Sequence, residues 1–295
     1  MTRTFHVLAN EHAGSTERDQ VAVAVARLAE RGPTSLGWTS SPEDFDEAVA
    51  AVPEGDQLVV AGGDGSIHLA LECLDRQDRT DRPVGIIPLG TGNDFARNHR
   101  LPLDPDEAAD VVLHGRPTPV DVIELRSGDH RELIANNLHV GLGVRSAHRA
   151  KPMKKGLGRL AYPVATAMEG AAGTCTHHRI TVDDQVVWDE PLLAGLFLLG
   201  GSMGGGIHVI DTDTRSLDVV AIGDVSGRAR LGLVRAALRS DLGSHPAARH
   251  WSAAGVVVVE SEGGVEVDAD GELVEHGPRV ELRHQRAGWT VLTPA

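Results

Sequence analysis

The chain has 295 residues, of which 41% are hydrophobic and only 3% aromatic, and its formal net charge is −14. That length can bury one large core or two smaller ones, and the acidic balance opposes long-range attraction to nucleic acid or to an anionic membrane surface. Two cysteines, Cys73 and Cys175, exclude a disulfide framework and a cysteine-built metal site.

Taken in chain order, His6–Ala9 predicts a first strand running into the polar loop Asn10-Glu11-His12-Ala13-Gly14-Ser15. Glu17–Glu30 follows as an amphipathic helix with Val21, Val25, Leu28 and Ala29 on one face. Ser41-Pro42 opens another helix, with Ser41 as its cap and Pro42 in its first turn. Leu58-Val59-Val60-Ala61 predicts a buried strand and Ile67–Leu74 a helix, with Gly62-Gly63-Asp64-Gly65-Ser66 between them. Glycines let the backbone approach a bulky anion and leave amide N–H groups pointing at it. The helix start behind them adds favourable partial positive charge. A carboxylate at Asp64 is repelled by phosphates unless it holds a metal or takes a proton. Alone, the pentapeptide also reads as an ordinary glycine-rich turn with an exposed Asp.

A second unit repeats the design. Val84–Leu89 reads as a strand, Gly90-Thr91-Gly92-Asn93-Asp94 as a loop, and Phe95-Ala96-Arg97-Asn98 as a helix start. Thr91, Asn93 and Asp94 offer a hydroxyl, an amide and a carboxylate to a polar ligand. In an open parallel sheet such loops gather at the carboxyl edge of the strands, where ligands bind. The alternation of strand and helix runs to the turn-rich segment Arg116–Pro119 and implies a parallel sheet with right-handed crossovers.

Beyond it, strand candidates dominate: Val120–Leu125, Leu133–Leu138, Ile180–Val182, Val186–Trp188, Leu192–Leu199, Leu217–Ile222, Val256–Glu260, Val265–Val267, Arg279–Leu282 and Trp289–Leu292. Asp183-Asp184-Gln185 reads as a hairpin turn, and helices are expected only near Leu157–Glu169 and Arg228–Leu242. The expected fold class is α/β with two domains. Residues 1–119 form a three-layer, parallel-sheet nucleotide-binding domain, and residues 120–295 a β-rich sandwich. The extreme C-terminus is a candidate to pack back on the first domain. The N-terminus lacks the apolar segment of a signal peptide, and the longest apolar run, Leu192–Leu199, is too short to span a bilayer. A cytoplasmic protein is expected.

Three motifs carry a resemblance: Asn10-Glu11-His12-Ala13-Gly14, Gly62-Gly63-Asp64-Gly65-Ser66, and Pro88-Leu89-Gly90-Thr91-Gly92-Asn93-Asp94-Phe95-Ala96-Arg97. Together they resemble the N-terminal motifs of the diacylglycerol kinase catalytic-domain family, which includes bacterial soluble lipid kinases and the sphingosine and ceramide kinases. The likeness continues in Val120-Asp121, Gly158-Arg159-Leu160-Ala161-Tyr162, Gly204-Gly205-Gly206 and Asp270-Gly271-Glu272. The pentapeptide is shared with the nicotinamide-dinucleotide kinases, whereas the motif from Pro88 to Arg97 is much more specific.

The resemblance implies an ATP- and magnesium-dependent kinase that phosphorylates a lipid hydroxyl, with diacylglycerol as the default acceptor and the second domain on the acceptor side. It implies that the nucleotide is held by Asn10, Gly14, Thr39, Gly62, Gly63, Asp64, Gly65, Ser66, Gly90, Thr91, Gly92, Asn93 and Asp94, and that Asp64 lies near the magnesium, directly or through water. Ser66 stands in place of the family's usual Thr and keeps its hydroxyl. Glu272 matches the general base, although Asp270-Gly271-Glu272 by itself more often makes a polar hairpin turn. Asp121 matches an acid that links base and metal; by itself it reads as a solvated strand-start residue.

The implied partner is a lipid substrate visited transiently at the membrane surface, with a homodimer left open and nucleic acid excluded. The cationic run Arg145, His148, Arg149, Lys151, Lys154, Lys155 and Arg159 is equally a solvated face or a contact for headgroups or ATP phosphates.

Three departures concern the second half of the reaction. His68-Leu69 stands where the family often has Asn-Glu. Asp213-Thr214-Arg215-Ser216-Leu217-Asp218 replaces an Asp-Asp-Gly-x-Leu-Asp segment that supplies a structural magnesium site in some bacterial members, so no ion is expected there. Leu199-Gly200-Gly201 lacks the usual Asn. The alternatives are a kinase of a non-lipid alcohol or a nicotinamide dinucleotide, or a nucleotide-binding regulator without catalysis. The histidines lack ligand spacing, and no zinc site is expected.

Overall fold

A computed structural model describes residues 3–11, 14–141, 175–203, 207–210, 216–225, 229, 232–233, 235–236, 239, 242–270 and 272–295. The Gly158–Tyr162 motif, the cationic run, Gly204–Gly206, Asp213–Arg215, Gly271 and the helix expected at Leu157–Glu169 lie outside these residues, and the helix expected at Arg228–Leu242 lies largely outside them. The chain divides into two compact units, one made of Met1–Asp121 with Arg286–Ala295, the other of Val122–Gln285. The segment Arg116–Pro119 is not a linker turn, because it begins the strand β5 described below. Proline is tolerated at the first residues of a strand, where a missing N–H costs little.

In the first unit, strands and helices alternate as β1 (Phe5–Asn10), α1 (Ser15–Ala29), β2 (Thr34–Thr39), α2 (Pro42–Ala50), β3 (Gln57–Gly62), α3 (Asp64–Arg76), β4 (Val84–Pro88), α4 (Asp94–Asn98) and α5 (Pro105–His114). β2 and α5 were not foreseen; β2 is a half-exposed edge strand and carries little hydrophobic signal. β1 pairs in parallel with β2 and with β3, and β3 with β4. Near the C-terminus Val291 pairs in parallel with Val84.

All six residues of β3 are buried, as expected for a parallel strand covered on both faces. Val7, Val59, Ala61 and Ile87 share one core with Val21, Ala24 and Leu28 of α1 and Ala108, Ala109 and Val112 of α5. The intervening Leu8, Leu58, Val60 and Ile86 are buried as well. α3 packs on β3 and α2 on α3, giving three layers. Fully burying Ile67, Leu71 and Leu74 of α3 stabilises its seat by roughly 1.5–3 kcal/mol per side chain. Ser41 caps α2 by accepting Asp44 N–H at 3.2 Å, as its sequence signature predicts.

The second unit is antiparallel. Its strands are β5 (Arg116–Ser127, which begins in the first unit), β6 (His130–Ile134), β7 (Asn137–Gly141), β8 (Thr176–Val182), β9 (Gln185–Leu198), β10 (Ser202–Met203), β11 (Ile207–His208), β12 (Leu217–Gly223), β13 (Ala248–Ala253), β14 (Val256–Glu260), β15 (Val265–Ala269), β16 (Glu272–His276) and β17 (Arg279–Thr293, which ends in the first unit). Several expectations change. Val186–Trp188 and Leu192–Leu199 belong to one strand, β9, whose pairing with β8 shifts register between Ile180 and Thr181; a bulge of this kind keeps a strand continuous where sequence suggests a break. Leu133–Leu138 splits at Ala135-Asn136 into β6 and β7, while Arg279–Leu282 and Trp289–Leu292 are one strand, β17. β13 and β16 were not foreseen, being short and largely exposed. One core gathers alternating residues of these strands, among them Ile123, Ile134, Leu138, Ile180, Phe197, Val219, Val257, Val267 and Leu282.

Candidate active site

The glycine-rich loops of the first unit meet at one point. Leu89 N–H donates to Gly62 C=O at 2.9 Å, which sets the two loops side by side. A Cβ on Gly90 would lie 2.6 Å from the Gly63 Cα, and one on Gly63 would lie 3.0 Å from the Gly90 Cα. Only glycine permits this approach at Gly90, because backbone cannot yield as a side-chain tip does. α3 begins directly behind it, with Gly63 as cap and Asp64 as first helical residue, three residues before the expected Ile67. Ser66 and Ile67 donate their N–H groups to Gly63 C=O at 3.0 and 3.1 Å.

In front of this junction is a pocket of about 260 Å³ whose polar lining comes from Asn10, Glu17, Gly62, Gly63, Ser66 and Gly90. The pocket is bordered by the start of α3, through Gly63 and Ser66, and by Glu17 and Val21 of α1. Such positions favour anions, since the first N–H groups of a helix lack acceptors within it. Gly65 is exposed, and a Cβ there would meet nothing within 4 Å.

The expected residues fall into different places around the pocket. Asn10, Gly62, Gly63, Ser66 and Gly90 line it. Asp64 does not; its Oδ1 accepts Phe95 N–H at 3.0 Å, which ties the start of α3 to the first turn of α4. Thr91 is exposed, and Gly92 C=O accepts Arg97 Nε at 3.1 Å. Asn93 is buried in a left-handed conformation (φ 53°), and its Oδ1 has no hydrogen-bond partner. Asp94 is buried as the first residue of α4. Thr39 is buried at the end of β2, where its hydroxyl donates to Ala9 C=O at 3.3 Å, so its side chain braces β1 and is not part of the pocket lining. Gly14 N–H donates to Glu17 Oε2 at 3.0 Å.

Asp121 lies within β5 and accepts Ala287 N–H at 2.9 Å, so it is a mid-strand residue and not one at a strand start. Near it, burial lowers the His99 imidazole to about 4, with the Asp121 charge opposing; His99 is therefore neutral at physiological pH. The His99 ring packs 4.3 Å from that of Phe95, and Phe95 lies 5.5 Å from Trp289. Cys73 carries no chemistry: burial and the neighbouring Asp46 push its thiol up to about 12, and a protonated thiol is a poor nucleophile.

In the second unit, Glu272 begins β16 opposite Ala269, and its side chain lies outside the described structure. Its neighbour Asp270 (φ 47°) accepts Ala135 N–H at 2.8 Å and Asn137 N–H at 3.1 Å. The turn carrying Glu272 is thereby fastened to the β6–β7 connection. Two residues escaped the sequence reading. Asp270 was seen only as part of a motif, and Glu17 was seen only as the start of a helix, although Gly14 followed by Glu17 has the spacing of a capping box. His68, one of the departures, is buried in α3 with Nε2 4.0 Å from Glu72.

The diacylglycerol kinase catalytic-domain profile matches residues 4–125. A protein of Mycobacterium tuberculosis named diacylglycerol kinase is 30% identical over 283 residues, covering 92% of this chain and 88% of its own. The chain belongs to the diacylglycerol kinase catalytic-domain family. It is thus a kinase, a phosphotransferase by family. A Pseudomonas aeruginosa protein named probable lipid kinase YegS-like is 32% identical, covering 69% of this chain and 66% of its own. The fold matches a crystal structure of a putative diacylglycerol kinase from Bacillus anthracis with a TM-score of 0.78 over 99% of this chain and 95% of that one, at 21% identity. It also matches an NAD kinase from Archaeoglobus fulgidus in complex with ATP, with a TM-score of 0.54 over 98% and 93% of the two chains, at 14% identity. Among the described residues no helix is long and apolar enough to cross a membrane.

Proposed function

We propose that this kinase transfers the γ-phosphoryl group of ATP to a lipid hydroxyl, with diacylglycerol as the default acceptor, in a magnesium-dependent reaction. The observation that carries the reading is the pocket in front of the Gly63–Gly90 contact, with the start of α3 at its edge. Its donor set suits phosphates: glycine backbone, the Ser66 hydroxyl and the Asn10 amide. Magnesium, when bound, neutralises charge on the phosphates. Asp64 is the residue for its neighbourhood. A carboxylate has roughly four acceptor positions, so the bond from Phe95 N–H is compatible with a contact to the metal's hydration shell. Among this chain's own groups, the loops hold and orient the phosphates, and Phe95 N–H fixes the Asp64 carboxylate.

In this reading Glu272 accepts the proton of the attacking hydroxyl, Asp270 holds its turn in place, and Asp121 supports the acidic set. Lipid is favoured as acceptor because the relatives at about 30% identity are named for it, whereas the likeness to dinucleotide kinases is one of fold. The protein would work from the cytoplasm and meet the membrane transiently.

The test is transfer of labelled phosphate from ATP and magnesium to diacylglycerol in mixed micelles, with NAD and soluble alcohols as parallel acceptors. Labelled lipid phosphate is expected, and product only from NAD or a soluble alcohol would overturn the lipid reading. Glu272→Gln is expected to lose at least about 100-fold in transfer while keeping ATP affinity by calorimetry. Unchanged transfer in that variant would remove Glu272 from the mechanism.

A further inference from the structure

The acidic side chain that lines the phosphate pocket is Glu17, not Asp64. Asp64 turns to Phe95 N–H, whereas Glu17 reaches back from α1 and takes Gly14 N–H at 3.0 Å. A carboxylate in the first turn of a helix is favourable, since it answers the partial positive charge there. Helix starts draw phosphates for the same reason, and a carboxylate left beside several phosphate charges repels them. The neighbouring Arg18 donates to Glu11 C=O and lies 4.5 Å over the Trp38 ring.

Building on the nucleotide reading above, we propose that Glu17 is the resident anion of this pocket and sets nucleotide affinity by competition. Its carboxylate holds Gly14 N–H until a nucleotide phosphate displaces it. Gly14 N–H is thereby satisfied without ligand, and each binding event must first release Glu17. This gives Glu17 a specificity role as well. A ligand with few negative charges gains little from the exchange, while one carrying several phosphates coordinated by magnesium replaces the carboxylate most effectively.

Glu17→Gln separates charge from shape, because Gln keeps the length and an oxygen that accepts from Gly14 N–H. Titration calorimetry with ATP and magnesium should show the dissociation constant falling about tenfold in this variant, the scale of one unit charge removed beside phosphates. The gain should shrink at high salt, since exposed charges are screened. Thermal melting of the variant should fall only slightly, because one favourable charge at a helix start is lost while the hydrogen bond to Gly14 N–H is kept. Equal affinity in the two proteins, at low and high salt, overturns the competition while the nucleotide reading stands. Weaker binding in Glu17→Gln overturns it too and makes the carboxylate a favourable contact of the bound nucleotide. Absence of ATP binding in both proteins defeats the nucleotide reading and this inference together.

Discussion

Asp183 and Asp270 of the second unit meet backbone amides differently from Asp64 of the first. In the second unit Asp183 accepts Ala254 N–H at 2.8 Å and both Gly255 and Val256 N–H at 3.0 Å. Asp270 accepts two more. Both sit at turns in left-handed conformations, with φ of 44° and 47°, where a short polar side chain is tolerated. In the first unit Asp64 is helical and accepts Phe95 N–H, beside two loops that touch at Gly63 and Gly90. A carboxylate that gathers several amides at a turn fastens strands. The one at a helix start between glycine-rich loops joins the first turns of α3 and α4. The residue type is the same, and the backbone around it decides which task it performs.

The sharpest way to break this contrast is to remove charge from Asp64 while keeping its shape. Asp64→Asn retains an oxygen for Phe95 N–H, so the fold should hold. Turnover with saturating magnesium should fall by about 10²–10³, as for loss of a preorganised electrostatic group. Near-normal turnover would place Asp64 with Asp183 as a structural acid.

Gly90→Ala tests the loop contact. The added Cβ would press on Gly63 backbone at 2.6 Å, and the loops must separate. A stability loss of about 1–3 kcal/mol is expected, as for overpacking, together with a loss of ATP affinity. The checks are chemical denaturation and calorimetry, and an unaltered ATP dissociation constant would show that the closeness of the loops is irrelevant to binding.

The smallest effect is expected at Asp183. Burial alone would raise its carboxyl, but the N–H groups of Ala254, Val256 and Gly255 prevail and hold it below the ordinary value. A depressed folded-state pKa contributes stability that is present above the unfolded carboxylate's range and lost as pH falls through the folded value. The side chain is exposed, so solvent screening discounts the gain, and Asp183→Asn, which tolerates the same left-handed backbone and keeps an acceptor oxygen, should cost about 1 kcal/mol at neutral pH. Melting followed from neutral to acid pH should show the two proteins converging at the acid end; a constant gap would mean that the charge plays no part.

Much of this was legible in the sequence because it is local. The β-branched run Leu58–Ala61, the glycines behind it and Ser41-Pro42 act through neighbours within a few residues, so period and cap chemistry identify them. The family was legible because its longest motif, Pro88 to Arg97, joins a strand, a loop and a helix start in one stretch. The β-rich half was harder: β9 reads as two strands across Asp189-Glu190-Pro191, and the exposed β13 and β16 have almost no hydrophobic signal. β17 shows the same limit, since its first half pairs with β14 and its C-terminal end with β4.

What the sequence by itself determined was the set of chemical groups and the elements that carry them, because propensity, capping and glycine freedom act over a few residues. What the tertiary structure alone decided was which groups share a space. Gly63 meets Gly90, 27 positions away in the chain, because β3 and β4 pair in register. Asp64 accepts Phe95 N–H, Thr39 donates to Ala9 C=O, and Glu17 lines the pocket with Gly62, Gly63 and Gly90. Such assignments follow from strand register and helix docking, which depend on the burial of the whole core and leave no mark in any short stretch of sequence.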